Sequence, residues 1–109
     1  MIHTIHTLGV WLLVAGFFGA GLVNVMGTRA TRAEYVAWGY PDWWYWVTGG
    51  LEIVTATFIA IPLLRGAGIV LGTVVILAAV ATLLRHGAYT KLPPAVAFLV
   101  VIALVVLTS

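Results

Sequence analysis

Glu52 is the residue whose type and position most directly suggest chemistry. An apolar stretch begins near Trp43, and Glu52 lies nine residues after that start. A rise of about 1.5 Å per residue therefore places it on the order of 12 Å inside that stretch. A carboxyl at such a depth is costly, faces other helices and marks a candidate functional site. Thr48 and Thr55 lie four residues before and three residues after Glu52, so they share its helical face.

Polar residues at the ends of other apolar stretches are expected to converge on the same half of the fold. Asn24 lies near the end of the first stretch, and Arg85 and His86 end the third. Alternate spans of an antiparallel protein end on the same side, so the sequence predicts one polar pocket there. The predicted catalytic residues are Glu52 for proton exchange, Arg85 as its charge partner and His86 as a second titratable group. The predicted ligand-binding residues are Asn24, Thr48, Trp44, Tyr35, Thr82 and Tyr89.

Each of these residues could instead have a purely structural role. Glu52 and Arg85 could form an ion pair that fixes helix register. Asn24 could make a hydrogen bond between helices, and His86 could be an ordinary residue at a helix end. His3 and His6 lie close together in the sequence, but no third ligand accompanies them, so no metal site is predicted.

The composition predicts that helices in a membrane hold these side chains in place. The 109 residues are 63% hydrophobic and 7% charged, whereas a soluble domain carries about 25% charged residues. Four apolar stretches, at residues 5–27, 43–63, 66–86 and 92–108, fit the roughly 20 residues of a spanning helix. The prediction is therefore an all-α, membrane-embedded antiparallel four-helix bundle, forming a single transmembrane domain over 1–109. The first stretch lacks the cationic start of a signal peptide and is interpreted as a span.

The basic residues predict orientation and partners. With four spans, only Arg65 lies on the side of the termini, and Arg29, Arg32, Arg85 and Lys91 lie on the other. An excess of Lys and Arg marks the cytoplasmic side, so the termini are predicted outside. Five basic residues in all favour contact with anionic lipid head groups over nucleic-acid binding. The absence of cysteine excludes disulfides and thiol catalysis.

The connection between the first two stretches is predicted to form a short interfacial helix. Thr31 and Glu34 have the spacing of a capping box, which predicts a helix over about 31–38 that stops at Gly39. The tryptophan-rich residues 43–46 are typical of an aromatic belt at head-group depth.

Small residues predict where helices approach one another closely. Gly16 and Ala20 in the first stretch, and Gly68 and Gly72 in the third, are each four residues apart. This spacing lets helix backbones come together in membrane proteins. Asn24 continues the first series by a further four residues, which places it on the same face.

Several short motifs resemble the DoxX-like family of small four-span membrane proteins. The sequence WGYPDWW at 38–44, followed by GGLE at 49–52, resembles the family's Gly-aromatic-Pro turn and Gly-x-x-Glu, and LRHG at 84–87 resembles its His-Gly ending. Many relatives carry lysine where this chain has Asn24. The resemblance implies a bacterial cytoplasmic (inner) membrane protein linked to redox complexes, such as small subunits of a thiosulfate:quinone oxidoreductase. Related four-span scaffolds host isomerases and cyclases.

Four functions remain open from the sequence. The first is a redox-linked membrane subunit that binds a quinone, with His86, Arg85 and Tyr89 as donors to its oxygens. The second is an intramembrane acid–base enzyme that isomerises, cyclises or opens an epoxide in a lipophilic small molecule. A small proton-coupled transporter is ranked third because the first stretch has no carboxylate, and a scaffold without chemistry is the fourth. No cofactor other than quinone is predicted. A protein partner or a homodimer is expected, since four short helices expose much surface.

Overall fold

The computed structural model describes all 109 residues and contains five α-helices. In chain order they are α1 (Ile2–Met26), α2 (Arg29–Ala37), α3 (Trp44–Ala60), α4 (Arg65–Arg85) and α5 (Leu92–Thr108). A single 3-10 turn precedes each of the last two helices, at Pro62–Leu64 and Tyr89–Lys91. The structure contains no strand, so the predicted all-α fold is confirmed.

Three helical stretches are long and apolar enough to cross a membrane: Ile2–Met26, Pro62–Arg85 and Tyr89–Thr108. The remaining long helix, α3, has 17 residues, at the lower end of the range of about 17–25 for a span. It ends at Ala60 instead of residue 63, because Pro62 disfavours helical backbone in the residue before it.

The four longer helices pack side by side around one apolar core. Helix α1 contacts α3 and α5, and α4 contacts the same two helices. The largest fully buried apolar side chains are Phe17, Leu13, Ile59, Val10 and Val105. Three of these five come from α1, which is therefore the central helix of the core.

Helices α1 and α3 approach most closely at Gly21 and Gly49. A Cβ atom added to Gly49 would lie 2.7 Å from the carbonyl oxygen of Gly21 and 2.8 Å from the backbone nitrogen of Val25. A Cβ atom added to Gly21 would lie 2.8 Å from the carbonyl oxygen of Gly49. Only hydrogen fits between two backbones this close, so both positions require glycine.

The glycines that were predicted to permit close packing also lie in tight contacts, but none of them belongs to the crossing of Gly21 and Gly49. Gly16 and Gly72 lie against phenylalanine rings, and Gly68 lies against the backbone of Ile59. The crossing at Gly21 and Gly49 was not predicted.

Helix α2 lies across one end of the packed helices and begins earlier than predicted. Its N-cap is Thr28, whose Oγ1 accepts a hydrogen bond of 3.2 Å from the backbone N–H of Thr31. The prediction that Thr31 and Glu34 form the capping box is therefore wrong. Thr28 takes this role because Gly27, in the left-handed conformation, ends α1 immediately before it.

Candidate functional site

Glu52 is buried at the crossing of α1 and α3, with only 6% of its surface exposed. The close approach at Gly21 and Gly49 brings Asn24, three residues after Gly21, opposite the carboxyl group. Asn24 Nδ2 donates a hydrogen bond of 2.6 Å to Glu52 Oε1. The same nitrogen donates to the carbonyl oxygen of Ala20 at 3.1 Å, which fixes its rotamer along α1.

Tyr35 connects this pair to α2. Its hydroxyl donates a hydrogen bond of 3.0 Å to Asn24 Oδ1. Burial raises the pKa of the Tyr35 hydroxyl, while the neighbouring Thr48 hydroxyl opposes this effect. Tyr35 is therefore a neutral donor around neutral pH. A continuous series of hydrogen bonds runs from Tyr35 through Asn24 to Glu52.

The second carboxyl oxygen of Glu52 has no hydrogen-bond partner in the chain. The carboxyl group receives a single hydrogen bond from the chain, which Asn24 donates to Oε1. Every fully enclosed side-chain nitrogen or oxygen atom has a hydrogen-bond partner, so Oε2 keeps some accessible surface. A buried carboxyl with one bonded and one open oxygen suits a ligand that has a polar group at the end of an apolar body.

Aromatic rings from α2, the loop that follows it and the start of α3 pack against one another. Tyr40 stacks on Trp44, with ring centroids 5.7 Å apart and planes 4° apart. Tyr35 meets the edge of Tyr40 at 6.1 Å. Trp44 and Thr48 precede Glu52 by eight and four residues on α3, so they share its face. The rings of Tyr35, Tyr40 and Trp44 therefore form a cluster that is joined to the carboxyl group through the Tyr35–Asn24 hydrogen bond.

Tyr40 also ties the loop to α4, because its hydroxyl hydrogen-bonds Thr82 Oγ1 at 2.7 Å. Tyr40 was not among the predicted site residues. Its place between a helix-ending glycine and Pro41, next to the tryptophans, is the sequence signal that could have identified it.

Two ion pairs hold α2 and its loop in place. Lys91, before α5, pairs with Glu34 and lies over the ring of Trp38, 5.5 Å from its centroid. Arg32 pairs with Asp42 at 2.8 Å. The Arg32 guanidinium lowers the pKa of the Asp42 carboxyl through this contact. Both pairs are half exposed, so each contributes little to stability by itself.

Three predicted site residues lie away from Glu52. Arg85 is the last residue of α4, His86 is its C-cap, and Tyr89 begins the following turn; all three are exposed. The expected ion pair between Glu52 and Arg85 is not formed, since Glu52 is bonded by Asn24 instead. These side chains lie where α4 ends, and they are exposed. Thr82 lies one turn earlier on α4 and bonds the hydroxyl of Tyr40.

The two histidines near the N-terminus have different surroundings. His6 Nδ1 lies 3.1 Å from both the carbonyl oxygen of Val105 and the hydroxyl of Thr108, which ties α1 to the end of α5. His3 is exposed. No group of three metal-ligating side chains occurs in the structure.

Two clefts lie elsewhere on the molecule. A cleft of about 310 Å³ between α1 and α5 is lined by Leu12, Leu13, Gly16, Pro94, Ala97, Phe98 and Val101. A cleft of about 610 Å³ lies along the outer side of α2, lined by Arg29, Arg32, Ala33, Val36, Ala37 and Asp42. Neither of them includes Glu52.

Residues 8–105 match the model of a protein family described as the DoxX-like family. The match begins within α1 and ends within α5, so it includes every residue of the Glu52 site. No curated protein and no solved structure matches the chain.

Proposed function

This chain belongs to the DoxX-like family, and we propose that it is a redox-linked membrane subunit that binds a quinone beside Glu52. The observation that carries this proposal is the half-bonded carboxyl: Asn24 occupies Oε1, and Oε2 keeps accessible surface. The stacked rings of Tyr40 and Trp44 are joined to this group through Tyr35. A quinone has the matching chemistry, with polar oxygens on a flat ring and an apolar tail.

The membrane arrangement that fits this function has four spans. Helices α1, α3, α4 and α5 would cross the bilayer as an antiparallel bundle, and α2 would lie at the interface. Many large apolar side chains on the outer surface, such as Leu12, Val70, Val74 and Val100, are exposed, as expected for contact with lipid. In this proposal the protein lies in a bacterial inner membrane with its termini outside and α2 on the cytoplasmic side, an orientation that the distribution of basic residues supports.

The side chains of the site supply binding and proton exchange. Trp44 and Tyr40 provide a surface for the ring, and Glu52 Oε2 exchanges a hydrogen bond or a proton with the ring oxygen. Tyr35 and Asn24 hold the carboxyl in place. Quinone supplies the electron-accepting chemistry when bound, and the electrons come from a redox protein partner. Thr48 lines the same face of α3.

The exposed polar residues at the ends of α4 and α5 have a different role in this proposal. Arg85, His86 and Tyr89 lie on the side where the protein partner and anionic lipid head groups would be. They are therefore assigned to contacts with these partners. The exposed apolar faces of the helices could also pair two copies of the chain as a homodimer.

Quinone titration in mild detergent tests the assignment of Glu52. A short-chain ubiquinone should quench tryptophan fluorescence in the wild-type protein, because this proposal assigns Trp44 to the surface that binds the ring. Glu52→Leu removes the polar partner of the ring oxygen and is expected to weaken binding by about tenfold or more. The matched control is Thr57→Leu on the same helix, since Thr57 is exposed and bonds only the backbone of Ile53. Equal affinity of the Glu52→Leu and wild-type proteins would place the quinone elsewhere.

A further inference from the structure

The orientation of the Asn24 amide is determined by its three partners. The carbonyl oxygen of Ala20 can only accept a hydrogen bond, so the amide atom 3.1 Å from it must be the nitrogen. The same nitrogen faces Glu52 Oε1 at 2.6 Å. The amide oxygen is left for the Tyr35 hydroxyl, which donates to it at 3.0 Å. Turning the amide over would set two oxygens against each other at Ala20.

This orientation has a consequence for the proton of Glu52. Oε1 faces an N–H donor, so it acts as the acceptor oxygen of the carboxyl group. A carbonyl oxygen accepts more strongly than a hydroxyl oxygen, so a protonated Glu52 carries its hydrogen on Oε2. Oε2 is also the oxygen that keeps accessible surface.

We propose that Asn24 is a positioning residue that directs the exchangeable proton of Glu52 to the ligand-facing oxygen Oε2, so that the presence or absence of this proton decides which oxidation state of the ligand binds. The inference rests on the proposed quinone site. With the proton present, Oε2 is a donor and binds the carbonyl oxygen of a quinone. With the proton absent, Oε2 is an acceptor and binds the hydroxyl of a quinol. One carboxyl therefore fits both forms, each with the opposite protonation state.

Two isosteric variants separate these donor and acceptor states. In Glu52→Gln, Asn24 still donates to the residue at position 52, so its amide oxygen faces Asn24 and its N–H group faces the ligand. This variant should therefore bind ubiquinone more tightly than it binds ubiquinol. In the double variant Asn24→Asp/Glu52→Gln, the acid at position 24 donates to Ala20 and accepts from the amide at 52. The amide oxygen then faces the ligand.

The double variant should therefore reject the oxidised ligand and keep the reduced one. We expect its affinity for short-chain ubiquinone to fall by about tenfold or more, because two acceptor oxygens would oppose each other. It should bind the corresponding ubiquinol more tightly than it binds ubiquinone. A merely structural role of Asn24 would change both affinities together. Equal preference for quinone over quinol in the two variants would overturn the inference.

The wild-type protein separates this inference from the proposed function. Failure of the wild type to bind either form of ubiquinone would contradict the quinone site itself. Binding by the wild type, with no difference between the variants, would contradict only the role of Asn24.

Infrared spectroscopy gives a second test that does not depend on the double variant. The C=O stretching band of protonated Glu52 is identified by its loss in Glu52→Gln. Asn24→Leu should shift this band to higher frequency, because the C=O oxygen loses its hydrogen bond. An unshifted band would show that Asn24 does not bond the C=O oxygen, and the inference would fail.

Discussion

The Gly49→Leu protein is expected to lose the packing of α1 against α3 and, with it, about 3 kcal/mol of the free energy of unfolding. A Cβ atom at this position meets the carbonyl oxygen of Gly21 at 2.7 Å and the backbone nitrogen of Val25 at 2.8 Å. Backbone atoms in the middle of a helix cannot turn aside as a side chain can. The helices must separate, and the distance between Asn24 and Glu52 must increase with them.

The neighbouring glycine provides the control. A Cβ atom on Gly50 has no atom within 4 Å, and leucine favours helix more than glycine does. Gly50→Leu should therefore be as stable as the wild type or slightly more so. Denaturant unfolding in detergent, followed by circular dichroism, compares the two variants. Equal stability of Gly49→Leu and Gly50→Leu would contradict the close crossing.

Asn24→Leu is expected to destabilise the protein through the polar groups that it leaves behind. Glu52 Oε1 loses its donor and the Tyr35 hydroxyl loses its acceptor. A buried polar group without a partner costs about 1–3 kcal/mol, so we expect a loss of about 2 kcal/mol in the free energy of unfolding. Quinone binding should weaken as well, because the carboxyl is no longer held in place.

A double-mutant cycle tests the cause of this loss. Asn24→Leu/Glu52→Leu replaces both members of the pair with apolar groups. The combined loss should be smaller than the sum of the two single losses by about 1 kcal/mol. Additive losses, measured by the same unfolding experiment, would show that Asn24 and Glu52 do not act on each other.

Most of the fold could be predicted from the sequence because apolar stretches of span length leave few alternatives. The predicted stretch 66–86 corresponds to α4 at Arg65–Arg85, and 92–108 corresponds to α5 at Leu92–Thr108. The boundaries failed where local chemistry decides them. Pro62 shortens α3, and the N-cap at Thr28 depends on the left-handed Gly27, which the capping-box pattern does not reveal.

The site was predictable where helical spacing alone fixes a side chain's direction. Asn24, Thr48 and Glu52 lie in the middle or last turns of long helices, so their faces follow from the period of the helix. Arg85 and His86 lie at a helix end, where the chain changes direction, and the spacing does not determine which way they point. The structure brings Asn24 to the carboxyl and leaves Arg85 exposed.

Contacts between distant parts of the chain could not be predicted from the sequence. The Gly21–Gly49 crossing depends on which faces of α1 and α3 meet. The pairing of Lys91 with Glu34 depends on where α2 lies across the end of the helices. Both contacts help to form the site, since they hold Asn24 and Tyr35 in register with Glu52.

Identification of the small molecules that purify with the protein is the most direct test of the quinone site beside Glu52. The wild-type, Glu52→Leu and Thr57→Leu proteins should be purified in the same mild detergent and extracted for mass spectrometry. We expect quinone in the wild-type and Thr57→Leu extracts and its loss from the Glu52→Leu extract. A different lipophilic metabolite with this pattern would indicate an acid–base enzyme instead. Ordinary phospholipid alone in all three extracts would contradict the ligand site.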